Sequence, residues 1–83
     1  MKPDLEYTGH ARDVIQERSL PEDWIRDTLS EPDRVEVGSD GNTHYIKAIS
    51  KHGGRMLRVV VNERVEPNRV VTLFFDRRLG RKP

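Results

Sequence analysis

The chain has 83 residues, 35% of them charged and 34% hydrophobic, with a net charge of +1. That length holds one domain with a thin core. With no cysteine, disulfides and thiolate metal sites are excluded, and the longest near-apolar run, Val70 to Phe75, is too short to span a bilayer or serve as an export signal. The expectation is a cytoplasmic protein with no membrane partner.

The small net charge hides a polarity. Residues 1–42 carry five Lys/Arg against eleven Asp/Glu, and residues 43–83 carry ten against three. An acidic half and a basic half can offer separate faces to different partners.

In chain order, "DLEYT" (residues 4–8) reads as a short extended lead-in, and Thr8 as the N-cap of a first helix. Ala11, Val14 and Ile15 recur at helical spacing, and the helix stops near Arg18 or Ser19. Ser19 followed by Glu22 matches a capping box, with Pro21 tolerated in the first turn of a second helix. Trp24, Ile25, Thr28 and Leu29 form its apolar face, and Pro32 ends it.

From residue 34 the period falls to two. "RVEV" alternates, "SDGN" turns, and "THYIKAIS" alternates again. "KHGG" turns the chain into "RMLRVVVN", with Leu57, Val59 and Val61 on one face. After the polar loop "ERVEPN", the segment "RVVTLFFD" is apolar on both faces, as a central strand is. The expected architecture is α+β: two N-terminal helices packed on a roughly four-stranded antiparallel sheet. Residues 1–76 form the domain, and residues 77–83 a basic tail.

"YTGHARDVIQERSLPEDW", followed by Pro32, "LRVVV" and "VVTLFFD", resembles the bacterial domain of unknown function 4258 family. The motif residues fall on His10, Ala11, Arg18 and Leu20; where the family often carries glycine, this chain has Ser19. Such families are grouped with the RelE/ParE-like toxins, within a wider class of small ribonuclease folds. The resemblance implies a toxin–antitoxin module whose toxin cleaves RNA. RelE-type ribonucleases often use a tyrosine near the C-terminal end; here the only tyrosines are Tyr7 and Tyr45, and ParE-type relatives keep the fold without nuclease activity.

RNA cleavage by 2′-hydroxyl attack needs a general base, a general acid and a cation for the charge developing on phosphorus. His10 is the candidate acid or base, because imidazole titrates near neutral pH. Arg18, Lys47 and Arg58 are the candidate cations. The plainer reading has His10 packing at the helix start and Arg18 offsetting the helix dipole. Lys47 and Arg58 interrupt adjacent strands and would form one cationic strip if the register lets them share a face. Arg77, Arg78, Arg81 and Lys82 form a basic tail that can meet phosphates or simply keep the terminus solvated. Trp24 reads as core, His52 as a solvated turn residue, and His44 as the opening of a strand. The three histidines lack partners at ligand spacing, so no metal is expected, and no phosphate-binding glycine loop or other cofactor motif is present.

The resulting expectation is a toxin-type domain whose basic sheet face meets RNA or a ribosome and whose partner is a cognate antitoxin protein. The alternative is a non-catalytic protein-binding or RNA-binding module of the same fold.

Overall fold

The computed structural model describes residues 5–79. Its elements are β1 (Leu5–Tyr7), α1 (Gly9–Glu17), α2 (Glu22–Ser30), β2 (Arg34–Val37), β3 (Thr43–Ile49), a 3-10 turn (Ser50–His52), β4 (Arg55–Asn62) and β5 (Asn68–Phe75). The two helices and the mixed α+β class match the expectation; the sheet does not match in full. It has five strands in the order β1-β5-β4-β3-β2, and β1 runs parallel to β5. The lead-in is therefore a strand, with Leu5 opposite Asn68 and Tyr7 opposite Val70. Three residues are too few to display a period of two, and their partner lies at the far end of the chain. Among the described residues no helix is long and apolar enough to cross a membrane.

Thr8 caps α1 as expected, its hydroxyl accepting the Ala11 N–H at 3.1 Å. The helix ends in a Schellman turn: the Leu20 N–H donates to the Ile15 carbonyl, and the Ser19 N–H to that of Gln16. Ser19 closes this turn with φ at +51°, in the left-handed region. It therefore ends α1 and does not cap α2; Pro21 holds that position without a side-chain hydrogen bond. Glu22 and Asp23 in the first turn offset the positive end of the α2 dipole instead.

Both helices pack on one face of the sheet. Ala11, Leu20 and Ile25 meet Leu57, Val59, Val61, Val70 and Leu73, all buried. Trp24 is half-buried against this core, with its ring 5.3 Å from that of His52 and 6.2 Å from that of Phe75. His52 is thus a packed aromatic neighbour and not a solvated turn residue, because the 3-10 turn folds it back over α2. The opposite face carries Glu36, His44, Arg58, Thr72 and Phe74. Ile46 and Val60 lie among them and are also buried.

Candidate functional site

The site on the opposite face begins at the junction of α1 and β5. The register passes from Val60–Thr72 to Val61–Val70, so Val71 is an extra residue in β5. Such a bulge re-aims the side chains beside it. Here it turns Val70 into the core and leaves the Val71 carbonyl to accept a 2.9 Å bond from the Thr8 hydroxyl. The Thr8 N–H donates to the Val70 carbonyl at 3.0 Å. These bonds tie the first turn of α1 to β5 and bring His10 over the sheet. Its Nε2 lies 3.1 Å from the Thr72 hydroxyl, in an exposed position.

Thr72 stands in a row that crosses four strands: Glu36 opposite His44, His44 opposite Val60, Val60 opposite Thr72. Arg58 occupies the next row, between Ile46 and Phe74. Thr72 and Arg58 are thus diagonal neighbours on adjacent strands, about 7–8 Å apart at the backbone.

Arg58 is buried and held from three sides. Its Nε donates to Asp76 Oδ2 at 2.9 Å and its Nη1 to His44 Nδ1 at 2.9 Å, with Glu36 Oε1 at 3.8 Å. A guanidinium has donors only, so the contact makes His44 Nδ1 the acceptor and puts the ring proton on Nε2. Nε2 then faces the Asp40 carboxylate, 3.3 Å from both oxygens. The Asn42 backbone N–H, more than the imidazole, holds the Asp40 carboxyl below the usual carboxylate range. Gly38 makes room for this pair: a β-carbon there would sit 2.6 Å from His44 Nε2 and 2.8 Å from Asp40 Oδ1.

Asp76 is the other anchor. Arg78 lowers its pKa most, through side-chain bonds of 3.2 and 3.3 Å; its backbone N–H and Arg58 act the same way, while burial opposes them. In return the carboxylate keeps Arg78 more firmly protonated. Arg34 pairs with Glu36, and Arg69 with Glu6 at 3.4 Å. Around this face each of Arg34, Arg58, Arg69 and Arg78 therefore has a carboxylate beside it. The acidic and basic halves of the sequence interleave in the fold, and the sheet face is a mosaic of both signs.

Of the candidate cations, only Arg58 joins His10 on this face. Lys47 lies opposite Leu57, on the helix side, and donates to the Glu31 carbonyl at the end of α2 at 2.9 Å. Lys47 and Arg58 thus form no common strip. Arg18 is the exposed C-cap of α1, about 12 Å along the helix from His10. Of the tail, Arg77 is exposed, Arg78 is bound to Asp76, and Arg81 and Lys82 lie outside the described residues. Among the described residues no group of three or more His, Cys, Asp or Glu side chains could hold a metal ion. The residues that sequence reasoning passed over are His44, Asp40, Glu36, Thr72 and Asp76, since only strand register brings them together.

A concavity of about 530 Å³ lies on the helix side, between α2 and the sheet. Tyr45 lines it and donates to Glu63; burial first, then this carboxylate, pushes the phenol up to about 12.

The chain belongs to the family of a domain of unknown function, DUF4258, whose model matches residues 7–75. No curated protein and no solved structure matches it.

Proposed function

We propose that this DUF4258 domain is the toxin component of a toxin–antitoxin module and that the face bearing His10 and Arg58 cleaves RNA without a metal ion or other cofactor. The observation that carries the reading is an exposed imidazole fixed over the Thr72 hydroxyl, one diagonal step from a guanidinium on the same face. The grouping of families of this kind with the RelE/ParE-like toxins supports it.

In this reading His10 removes the proton from a ribose 2′-hydroxyl. The 2′-oxygen attacks the adjacent phosphorus, and the 5′-oxygen leaves and takes up a proton from water. The products are a 2′,3′-cyclic phosphate and a free 5′-hydroxyl. Arg58 meets the charge that builds on the phosphoryl oxygens. His44, Asp76 and Glu36 are positioning residues that hold the guanidinium. The tail cations Arg77, Arg78, Arg81 and Lys82 would steer the RNA backbone.

A second reading rests on the charge mosaic. Because the arginines of this face already have carboxylate neighbours, a protein partner suits it as well as a phosphate chain. The domain would then be a non-catalytic binding module. The deciding experiment combines induced expression with incubation of the purified protein and structured RNA. Growth arrest and 2′,3′-cyclic phosphate ends are expected, both abolished by His10→Ala with the melting temperature nearly unchanged. RNA binding or growth arrest without cleavage would favour the second reading, and inactivity in both assays would overturn the toxin reading.

A further inference from the structure

We infer that the chain pairs with a second copy of itself through the outer edge of β2. β2 is an edge strand of the sheet, and among the described residues no strand pairs with its outer side. The Gly38 N–H donates to the Asn42 carbonyl at 2.9 Å. Hydrogen-bonded and non-bonded rungs alternate in an antiparallel pair, so the Glu36–His44 and Arg34–Ile46 rungs are the bonded ones. Val35 and Val37 consequently turn their N–H and C=O groups outward. The two residues are 54% and 76% exposed, the exposed large hydrophobics among the described residues. An apolar strand edge with unpaired backbone groups is a template for another strand.

Charge favours a second copy as that strand and sets its register. A two-fold axis through Val35 places Val35 opposite Val35, exchanging two backbone hydrogen bonds. It also places Arg34 of each copy opposite Glu36 of the other. Those two rungs are the non-bonded ones, where side chains approach most closely, and opposite charges there stabilise the pairing. An axis through Glu36 would instead set two glutamates against each other. The self-complementarity of "RVEV" thus selects the first register. It would join two sheets into one of ten strands and bring Arg34 of the second copy to Glu36, which lies 3.8 Å from Arg58.

Strands of four residues bury little surface, so the association should be weak and visible only at high concentration. The mass measured by light scattering should rise from 9.7 kDa towards twice that value as the protein approaches about 1 mM. Arg34→Glu and Glu36→Arg should each raise the dissociation constant at least about tenfold, and mixing the two variants should restore pairing. Because the chain lacks cysteine, register can be read without disturbing these charges. Under mild oxidation Val35→Cys should cross-link, its α-carbons about 5.5 Å apart across a bonded rung. Val37→Cys should not, being four residues out of register, about 13 Å. A mass that stays monomeric at about 1 mM would overturn self-pairing and leave the edge to a strand of another protein. Cross-linking of Val37→Cys as fast as Val35→Cys, or no recovery on mixing, would overturn the register.

Discussion

The guanidinium of Arg58 meets the carboxylate of Asp76 at 2.9 Å, with both side chains withdrawn from water although they lie on the face that no helix covers. Removing one partner of such a pair leaves the other as a buried uncompensated charge. Asp76→Ala should therefore cost about 3 kcal/mol. In a domain of this size that lowers the melting temperature by more than about 10 °C. Replacing both Arg58 and Asp76 by apolar residues should cost clearly less than the single change. Thermal unfolding of the three proteins tests this; equal losses for the single and double variants would refute the pairing as the source.

The same carboxylate predicts an acid limit. Its pKa is lowered in the folded chain, by Arg78 first and Arg58 next. Stability from a depressed carboxyl is fully present above the unfolded value, about 3.9, and is lost as pH falls through the lower folded value. Urea midpoints measured from pH 7 downwards should hold until about pH 4 and then fall. Asp76→Asn should flatten that fall. If wild type and variant decline in parallel below pH 4, other groups govern it.

Ser19 holds a left-handed conformation that a β-carbon disfavours. Ser19→Gly should raise stability by about 0.5–1 kcal/mol, the relief of that penalty less the extra freedom glycine gains on unfolding. Ser19→Val should lower it. Paired denaturant titrations give the sign directly, and a destabilised glycine variant would contradict the αL assignment.

The tyrosine titration is equally direct. Tyr45 should ionise at about 12. Tyr7 should also ionise above its ordinary value, chiefly because it is partly buried, with Glu22 adding to the shift. Glu63→Gln should lower the Tyr45 value and leave Tyr7 unmoved. Tyrosinate absorbance in the wild type and in Tyr7→Phe separates the two. An unchanged Tyr45 in Glu63→Gln would show that burial alone sets it.

Features decided within a turn or two of chain were legible in the sequence. Thr8 as N-cap, the apolar faces of both helices and the turns at residues 39–42 and 51–54 all follow from local chemistry. Ser19–Glu22 shows why local pattern can mislead, since the residues of a capping box also fit a helix end in which Ser19 takes positive φ. Long-range pairing was beyond reach. His44 looked idle because its partner Arg58 lies fourteen residues on, and one step of register separates a shared face from the observed split between Lys47 and Arg58. His10 was readable as a candidate from the helix start. That it stands over Thr72 depends on a bulge at Val71 that leaves no mark in the sequence.

The parallel pairing of β1 with β5 also sets an order of assembly. β2, β3 and β4 meet through short turns and can associate early, whereas Thr8 and Val71, 63 residues apart, must find each other across the whole domain. Such distant closure is slow compared with hairpin formation. β1 and the first turn of α1 are thus secured only once β5 is in place, and His10 reaches Thr72 in that same step. In a nascent chain that has not yet released β5, His10 has no Thr72 to stand over, so on the proposed reading the site would be complete only after β5 has joined the sheet.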